Sequence, residues 1–396
     1  MNKLRLLPAR LTKLLISSLY RMFSLFFKVN NKKVTFASYR SEELNGNLFY
    51  IHQELVKRHR DINTHFLFKK FRSSKLGKLD YLFHMVKACY HLATSRYFII
   101  DDYYFPVYAI KPREGAEVIQ LWHAAGAFKK FGLSTVGTPF GPSRDYLEVI
   151  KVHSNYARAF ASASGIIPYY AEAFGMESER ILPLGVPRTD YFFQEEAAAS
   201  VRERFFQAFP ELAGRRLILY APTFRGKSHY QEAFHFPMDF ERMKDELGPE
   251  YALLVHLHPY MDENVHLGAE GFLYHIKKGF DINELMLVSD ILLTDYSSVI
   301  FDYSLLQRPI AFISSDVEEY TAERDFYYPY ESFIPGPLFT GEGPLIDWIL
   351  EENFDIAKIT EFRNRFFDYR DGRASERIID HLFRDNEKHT KIGSTS

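Results

Sequence analysis

The stretch "DILLTDYSSVIFDYSLLQRPIAFI", residues 290–313, decides the fold. An apolar run, Ile291–Thr294, ends in polar residues and leads at once into a helical pattern over Val299–Leu306 and a second apolar run, Ile310–Ile313. Short continuous apolar runs separated by a helix are typical of parallel strands that are covered on both faces. The stretch therefore predicts a strand–helix–strand unit of a doubly wound α/β sheet.

The same alternation continues over most of the chain and falls into two series. The first series predicts strands at Val34–Tyr39, Asn63–Phe68, Tyr97–Asp101, Val118–His123, Val149–Ser154 and Ile181–Leu184, with helices over Leu48–His59, Leu79–Ala93 and Tyr156–Phe174. The second series predicts strands at Leu217–Pro222, Ala252–His258, Phe272–His275, Ile291–Thr294 and Ile310–Ile313. We therefore predict two Rossmann-like domains, 33–195 and 196–386, the second ending in C-terminal helices. A charged boundary stretch should lie near 192–216, and the polar residues 387–396 should form a frayed tail.

The composition fits a folded protein of two or three domains. Of the 396 residues, 46% are hydrophobic and 16% aromatic, so large cores can form. The net charge of −2 provides no global field that would recruit DNA or RNA, and we expect no nucleic-acid partner. The single cysteine, Cys89, excludes an internal disulfide, which fits a reducing compartment.

The first 32 residues differ from the rest in charge, because residues 1–40 contain no Asp or Glu. Their apolar stretch, Leu14–Phe27, is interrupted by Arg21 and is shorter than the roughly 20 residues that span a bilayer. We predict that residues 1–32 form a basic amphipathic segment on the anionic cytoplasmic face of the membrane. A helix packed on the protein's own body is the alternative, and the absence of a small-residue cleavage site disfavours a signal peptide.

Polar residues follow the strand that ends at Thr294. Either Ser297 or Ser298 can cap the next helix, and unpaired N–H groups beside two hydroxyls suit a phosphate. An ordinary serine cap on a structural helix explains the same pattern.

The segment "VIQLWHAAGAFKKFG", residues 118–132, ends a predicted strand in Trp122-His123. A histidine at this position can act as a general base, and Lys129 and Lys130 can hold an anion. A structural histidine fits the pattern equally well.

Two further strands end in polar or basic residues. In "LLVHLHPYM", residues 253–261, His256 and His258 share one face, but no third ligand stands at a recognisable spacing, so we expect no metal. In "LYAPTFRGK", residues 219–227, a strand opens into a loop that contains Arg225. Because the carboxyl ends of parallel strands form the ligand-binding edge of a sheet, this convergence predicts a binding site.

Several of these blocks resemble the CDP-glycerol glycerophosphotransferases of teichoic acid biosynthesis. The matching blocks, in the order of that family, are "QLWHAAGAFKKFG", "GVPRTDYFF" (185–193), "LYAPTFRG", "VHLHP", "LLTDYSSVIFDYSLLQRPIAF" and "RDFYYPYESFIPGPL" (324–338). They cover most of residues 118–340, and the "TDYSS" block followed by "FDY" is specific.

The resemblance implies a GT-B architecture, in which an acceptor domain and a CDP-donor domain face a cleft. It implies that glycerol phosphate passes from CDP-glycerol, a substrate, to a hydroxyl with release of CMP and without a cofactor. His123 matches the family's general base and His258 the histidine that contacts the donor diphosphate. On the matched blocks we assign donor binding to Thr223, Arg225, Thr294, Asp295, Ser297, Ser298 and Asp302, and acceptor or anion binding to Lys129, Lys130 and Arg188.

The chain departs from the polymerases of that family after the Trp-His pair. Polymerases continue Gly-Thr-Pro-Leu-Lys, whereas "WHAAGAFKK" looks more like the primases, which add the first glycerol phosphate to a lipid-linked disaccharide. We therefore expect an undecaprenyl-diphosphate disaccharide acceptor and a peripheral position on the cytoplasmic side of the cell membrane. The alternatives are a second-unit transferase or polymerase that uses CDP-glycerol or CDP-ribitol, a GT-B nucleotide-sugar glycosyltransferase, and a non-catalytic nucleotide-binding protein.

Overall fold

The computed structural model describes residues 6–70, 74–138, 141–223, 226–227, 230–231, 236–257 and 267–392. The chain divides into two compact units, the first being Met1–Asp190 with Phe367–Ser396 and the second Tyr191–Phe366. Each unit contains a six-stranded parallel sheet, which confirms the predicted α/β fold with two doubly wound sheets. The predicted cleft between two facing domains stays a prediction.

The first unit has six strands in the order β2-β1-β3-β4-β5-β6, and all neighbours are parallel. The strands are β1 (Asn30–Ser38), β2 (Asn63–Phe68), β3 (Ser95–Ile100), β4 (Glu117–Gln120), β5 (Tyr156–Phe160) and β6 (Ile181–Leu182). The helices are α1 (Leu7–Phe26), α2 (Gly46–Arg58), α3 (Lys75–Thr94), α4 (Phe105–Tyr108), α5 (Arg144–Val149) and α6 (Ile167–Phe174), together with the last helix of the chain, described below.

The second unit repeats this design around β7. Its strands are β7 (Arg216–Tyr220), β10 (Tyr251–Val255), β11 (Leu273–His275), β12 (Ile291–Thr294), β13 (Ile310–Ile313) and β14 (Leu338–Phe339), beside a small antiparallel pair, β8 (Gly226–Lys227) and β9 (Tyr230–Gln231). Its helices are α7 (Glu195–Ala208), α8 (Phe240–Leu247), α9 (Ile282–Val288), α10 (Val299–Ser304), α11 (Val317–Glu323), α12 (Tyr330–Phe333), α13 (Glu342–Leu350) and α14 (Ile356–Phe366). The large sheet has the order β11-β10-β7-β12-β13-β14.

Both sheets contain a point at which the strand order reverses. In the first sheet, the connection from β1 leads to β2 on one side, and the chain then returns to β3 on the other side of β1. In the second sheet, β7 is flanked by β10 and β12 in the same way. Loops that leave the carboxyl ends of such neighbouring strands diverge and open a crevice, where ligands bind in open α/β sheets.

The core of the first unit follows from the apolar spacing of its elements. Leu48, Ile51 and Leu55 recur every three or four residues on α2 and are buried against β1, where Val34 and Phe36 are fully buried. Thr35 and Ala37, which point to the opposite face of β1, are also fully buried, so both faces of this strand need covering helices.

The predicted strand Val149–Ser154 was wrong, and the predicted helix Tyr156–Phe174 is confirmed only for its last eight residues, which form α6. Residue 149 ends α5, and the chain then turns with a positive φ of 63° at His153 and 72° at Asn155. The strand is β5, which takes the first five residues of the predicted helix. Pro168 stands in the first turn of α6, where the missing N–H costs no hydrogen bond, and it marks the true helix start.

The last helix, α15 (Ala374–Ile392), belongs to the first unit and not to the second domain as expected. The carboxylate of Asp190 accepts hydrogen bonds from the N–H groups of Ala374 and Ser375, each at 2.8 Å, and so caps its first turn. Gly185 lies so close that a Cβ there would be 2.7 Å from Cβ of Ala374. The helix extends six residues into the predicted tail, and 393–396 lie outside the described residues.

The amino-terminal segment forms α1, which packs on α3 through a buried face that contains Ile16 and Tyr20. The thiol of Cys89 on α3 donates to the carbonyl of Ile16. The docking alternative therefore holds for this face of the helix, whereas the opposite face is exposed. Within the described residues, no helix has the length and hydropathy that a bilayer crossing requires.

Candidate active site

A cavity of about 260 Å³ opens at the reversal point of the first sheet. Its lining residues come from the carboxyl ends of β1, β3 and β4, from the start of α2 and from the segment after β6: Arg40, Ser41, Asn45, Gly46, Asn47, Asp101, Trp122, His123 and Arg188. The structure thus brings the predicted His123 and Arg188 together. Lys129 and Lys130, which are half-buried, are not among the lining residues.

The imidazole of His123 is held by Asp102, which sequence reasoning missed. Nδ1 of His123 lies 3.1 Å from Oδ2 of Asp102, and the same oxygen accepts a hydrogen bond from Nη1 of Arg40 at 2.6 Å. Oδ1 accepts from the N–H of Tyr103 at 2.5 Å. Burial acts to raise the pKa of Asp102, but His123, Arg40 and the Tyr103 N–H together hold that pKa well below its usual range.

This pairing fixes the tautomer of His123. An ionised carboxylate can only accept hydrogen bonds, so Nδ1 must carry the hydrogen and Nε2 is the basic nitrogen. The side chain is 38% exposed, which leaves room for a ligand beside the ring. The arrangement is that of a general base with an orienting carboxylate.

The backbone before His123 is strained. Trp122 has a φ of 56°, a left-handed conformation that is rare for a bulky residue and that persists only where its surroundings enforce it. Its indole ring stacks on Phe131 with ring centroids 4.8 Å apart and meets Phe174 edge-on at 5.3 Å. This packing ends β4 at Gln120, three residues before the end of the predicted strand, and turns His123 toward the cavity.

Two buried amides connect the loops around the cavity. Nδ2 of Asn47 donates to the carbonyl of Trp122 at 2.8 Å, and its Oδ1 accepts from the N–H of Arg188 at 2.9 Å. Nη1 of Arg188 donates to the carbonyl of His123 at 3.0 Å. Gln120 donates to the carbonyl of Asp102 and accepts from the N–H of Trp122. The start of α2 and the loops after β3, β4 and β6 are therefore positioned as one group.

Asp101, beside Asp102, is in a different situation. Its side chain is only 8% exposed and takes a hydrogen bond from Ser38, but its Oδ1 has no hydrogen-bond partner among the described residues. Burial raises the pKa of Asp101 to about 6, and the neighbouring Asp102 adds to the rise, against the lowering effects of Ser38, His123 and Arg40.

The second unit gathers predicted donor-binding residues at its own reversal point. The hydroxyl of Thr294 donates to the carbonyl of Ala221 at 2.7 Å, and Oδ1 of Asp295 accepts from the N–H of Thr223 at 2.8 Å. The side chains of Thr294 and Asp295 are both buried. Through these two hydrogen bonds they position the loop after β7. Direct contact of these two side chains with a donor stays a prediction.

The serine turn lies on the same edge. Oγ of Ser297 accepts from the N–H of Val299 at 3.4 Å, whereas Ser298 is exposed and makes no side-chain cap bond. The helix α10 has six residues and ends at Ser304, two residues before the predicted end. Asp302 is buried on α10. His258 and Arg225 lie outside the described residues.

Across the described ranges, no three His, Cys, Asp or Glu side chains are grouped so as to hold a metal ion. Because His258 is not among these residues, the expectation of a metal-free site stays a prediction.

The raised pKa of Asp101 predicts a pH-dependent cost to stability. The ordinary pKa of an aspartate is 3.8, and that of Asp101 in the folded protein is about 6. Between these two pH values the unfolded chain releases a proton that the folded chain retains. The wild type therefore loses stability as the pH rises through this range. Asp101→Asn removes this loss. Its unfolding free energy, relative to wild type, should be greater at pH 7.5 than at pH 4.5 by about 2 kcal/mol.

Urea unfolding followed by tryptophan fluorescence measures this difference. The chain has two tryptophans, and in a Trp348→Phe background Trp122 alone reports on the first unit. Asp61→Asn, which makes the same change at an exposed carboxylate paired with Lys32, is the matched control. An Asp101→Asn difference that is equal at both pH values would contradict the buried, proton-retaining state.

Comparison with known proteins places this geometry in a family. Residues 18–384 match the family of CDP-Glycerol:Poly(glycerophosphate) glycerophosphotransferases. A teichoic acid ribitol-phosphate primase of Bacillus spizizenii is 44% identical over 94% of this chain and 96% of its own length. A teichoic acid glycerol-phosphate primase of the same organism is 30% identical over 77% of this chain and 78% of its own length.

The fold also has a solved counterpart. The wall teichoic acid polymerase TagF matches with a TM-score of 0.77 at 22% identity, over 98% of this chain and 96% of that chain. At this identity the likeness concerns the fold alone. The match to the family over almost the whole chain, together with the two primases, confirms the resemblance seen in the sequence: the chain belongs to the CDP-glycerol:poly(glycerophosphate) glycerophosphotransferase family.

Proposed function

We propose that this protein is a teichoic acid primase that transfers a polyol phosphate from a CDP-polyol to a hydroxyl of a lipid-linked acceptor. The observation that carries the proposal is the His123–Asp102 pair in the cavity of the first unit, since it supplies an oriented general base. Family membership supports the donor class. A nucleotide-sugar glycosyltransferase is disfavoured by that membership, and a non-catalytic role by the oriented base.

In this mechanism the acceptor oxygen attacks the phosphorus that carries the polyol. A new phosphorus–oxygen bond forms, the bond to the bridging oxygen breaks, and CMP leaves with its electron pair. Nε2 of His123 takes the hydroxyl proton, and Asp102 stabilises the resulting imidazolium. General-base catalysis of this kind contributes about 10²–10⁴-fold.

The donor belongs to the second unit in this proposal. The hydroxyls of Ser297 and Ser298 and the loop at Thr223 lie on its ligand-binding edge, and hydrogen-bond donors there offset the charge that develops on CMP. His258 and Arg225 would add positive charge to the same diphosphate. Because α10 is short, we assign more of this stabilisation to side-chain donors than to the helix dipole.

The identity of the polyol has two candidates. The primase at 44% identity carries ribitol phosphate in its name, which supports CDP-ribitol as the donor. The family description and the glycerol-phosphate primase at 30% identity support CDP-glycerol, the donor that the sequence predicts.

One product assay tests both the reaction and the polyol. Purified protein receives equal amounts of CDP-ribitol and CDP-glycerol with a lipid-disaccharide analogue, either bare or already carrying one glycerol phosphate. We expect CMP release and the addition of one polyol phosphate, with ribitol preferred. Mass spectrometry of the product identifies the polyol, the acceptor and the number of units.

The control for this assay is His123→Gln, which should lower kcat by at least about 10²-fold because the base is lost. Release of CMP at the wild-type rate by this variant would remove His123 from its role. Turnover of a UDP-sugar, with none of either CDP-polyol, would refute the proposed function.

We further propose that the first unit binds an anionic membrane surface on the cytoplasmic side, which brings it to a lipid-linked acceptor. The exposed face of α1 is a leucine-rich stripe opposite the buried Ile16, formed by Leu7, Leu11, Leu14, Leu15, Met22, Leu25 and Phe26. Arg10 and Arg21 are exposed at its edge, as interfacial binding to anionic lipid requires. Leu25 and Phe26 are 84% and 78% exposed, which is unusual for large apolar side chains.

A second exposed stripe, which the sequence did not indicate, lies on the partner helix α3. Leu76, Leu79 and Phe83 recur at helical spacing, and Lys78 and Lys87 are exposed on the same helix. Two neighbouring helices with exposed apolar stripes and exposed cations support peripheral binding to a bilayer.

Vesicle binding tests the membrane proposal. Leu14→Glu with Leu25→Glu should weaken binding to vesicles of anionic lipid by at least about tenfold, because each leucine contributes about 1.5–3 kcal/mol when fully buried. Val56→Glu, at an exposed apolar residue of α2 outside the stripes, is the matched control. Equal binding by the double variant and this control would refute the proposal for α1.

A further inference from the structure

The cavity contains one buried carboxylate whose hydrogen bonding is incomplete. Asp102 uses both oxygens, toward His123 and Arg40 on one side and the Tyr103 N–H on the other. Asp101 is as deeply buried and lines the cavity, yet Oδ1 has no partner among the described residues. A buried acceptor atom without a partner is costly and points to a ligand that completes it.

The surroundings of Asp101 define the chemistry of that ligand. A carboxylate oxygen requires a hydrogen-bond donor. The substrate that receives the polyol phosphate is an alcohol, and its hydroxyl groups can donate such a bond. The same cavity is lined by His123, which we have proposed takes a proton from one hydroxyl. Two adjacent hydroxyls of one molecule can therefore meet the two side chains together.

Two guanidinium groups indicate which chemical group of the ligand lies next to these two hydroxyls. Arg40 and Arg188 both line the cavity, and Arg40 is about half exposed. Guanidinium groups favour phosphate as a neighbour. The cavity volume of about 260 Å³ is smaller than the roughly 300–1,000 Å³ of sites that hold drug-sized ligands. This size suits a single polyol or sugar unit.

We propose that Asp101 binds the hydroxyl next to the attacking hydroxyl, so that the cavity recognises a vicinal diol at the end of the acceptor. This inference rests on the proposed function, which makes the cavity the acceptor site. The hydrogen bond from the second hydroxyl fixes the rotation of the diol and holds the first hydroxyl toward Nε2 of His123.

Equilibrium binding without donor tests the diol site apart from turnover. Calorimetric titration compares sn-glycerol 3-phosphate with 3-hydroxypropyl phosphate, which lacks only the middle hydroxyl, and a methyl hexoside with its deoxy analogue. Wild type should bind the diol about 10- to 100-fold more tightly than its deoxy partner, the effect of a hydrogen bond to a charged group. The pair that shows this difference, polyol phosphate or sugar, identifies the source of the diol.

Asp101→Leu, which keeps the size of the side chain but has no hydrogen-bond acceptor, should abolish this discrimination while leaving the affinity for the deoxy probe within about threefold. Asp61→Asn, outside the cavity, should retain the wild-type discrimination. A wild type that does not distinguish diol from deoxy probes in either pair, or an Asp101→Leu variant that still does, would overturn the proposal.

Activity is read separately. Diol discrimination that depends on Asp101, in a protein that releases no CMP from any CDP-polyol, would refute the proposed function and retain this site. Product formation without that discrimination would refute the diol site and retain the proposed function. In the active protein, Asp101→Asn should raise KM for the acceptor about 10-fold or more and leave KM for the CDP-polyol unchanged.

Discussion

The carboxylate of Asp102 is the group on which the cavity of the first unit depends. It is almost completely buried, and it survives as a charge only because Arg40, His123 and a backbone N–H surround it. These partners come from the ends of β1, β3 and β4, so one anion connects three loops at the reversal point of the sheet. Loss of the charge would leave Arg40 unpaired and His123 without an assigned tautomer.

Asp101 and Asp102 show that two identical side chains, adjacent in one loop, can have different roles. Asp102 has a lowered pKa and a complete set of donors, and it acts on structure and on His123. Asp101 has a raised pKa and an oxygen that finds no partner within the described part of the chain, and in our proposal it acts on the ligand. Functional sites often retain such unfavourable groups at the expense of stability.

The sequence predicted the strands that end at the reversal points of the two sheets. Apolar runs of four to six residues with polar ends are a strong indication of buried parallel strands. It also predicted His123 and the Ser297–Ser298 turn at those ends. It did not predict Asp102, although "DDYYF" after a predicted strand places an acidic pair at the ligand-binding edge. The pairing joins residues about twenty positions apart on separate loops, and no local pattern encodes that contact.

Other differences have the same origin in long-range packing. The place of α15 in the first unit depends on Asp190, which caps a helix more than 180 residues later. The strand β5 was read as helix because its five residues carry no strand alternation, and neighbouring strands supply its hydrogen bonds. The exposed stripe on α3 becomes apparent only when the buried face of that helix is known.

The tautomer of His123 is the most direct test of this account. Long-range ¹H–¹⁵N spectra of histidine-labelled protein at pH 8, with the His123 signals assigned by their loss in His123→Gln, report which nitrogen carries the hydrogen. We predict that Nδ1, the nitrogen that faces Asp102, carries the hydrogen, and that the spectrum changes in Asp102→Asn. A ring with hydrogen on Nε2, or one that is unaffected by Asp102→Asn, would contradict it.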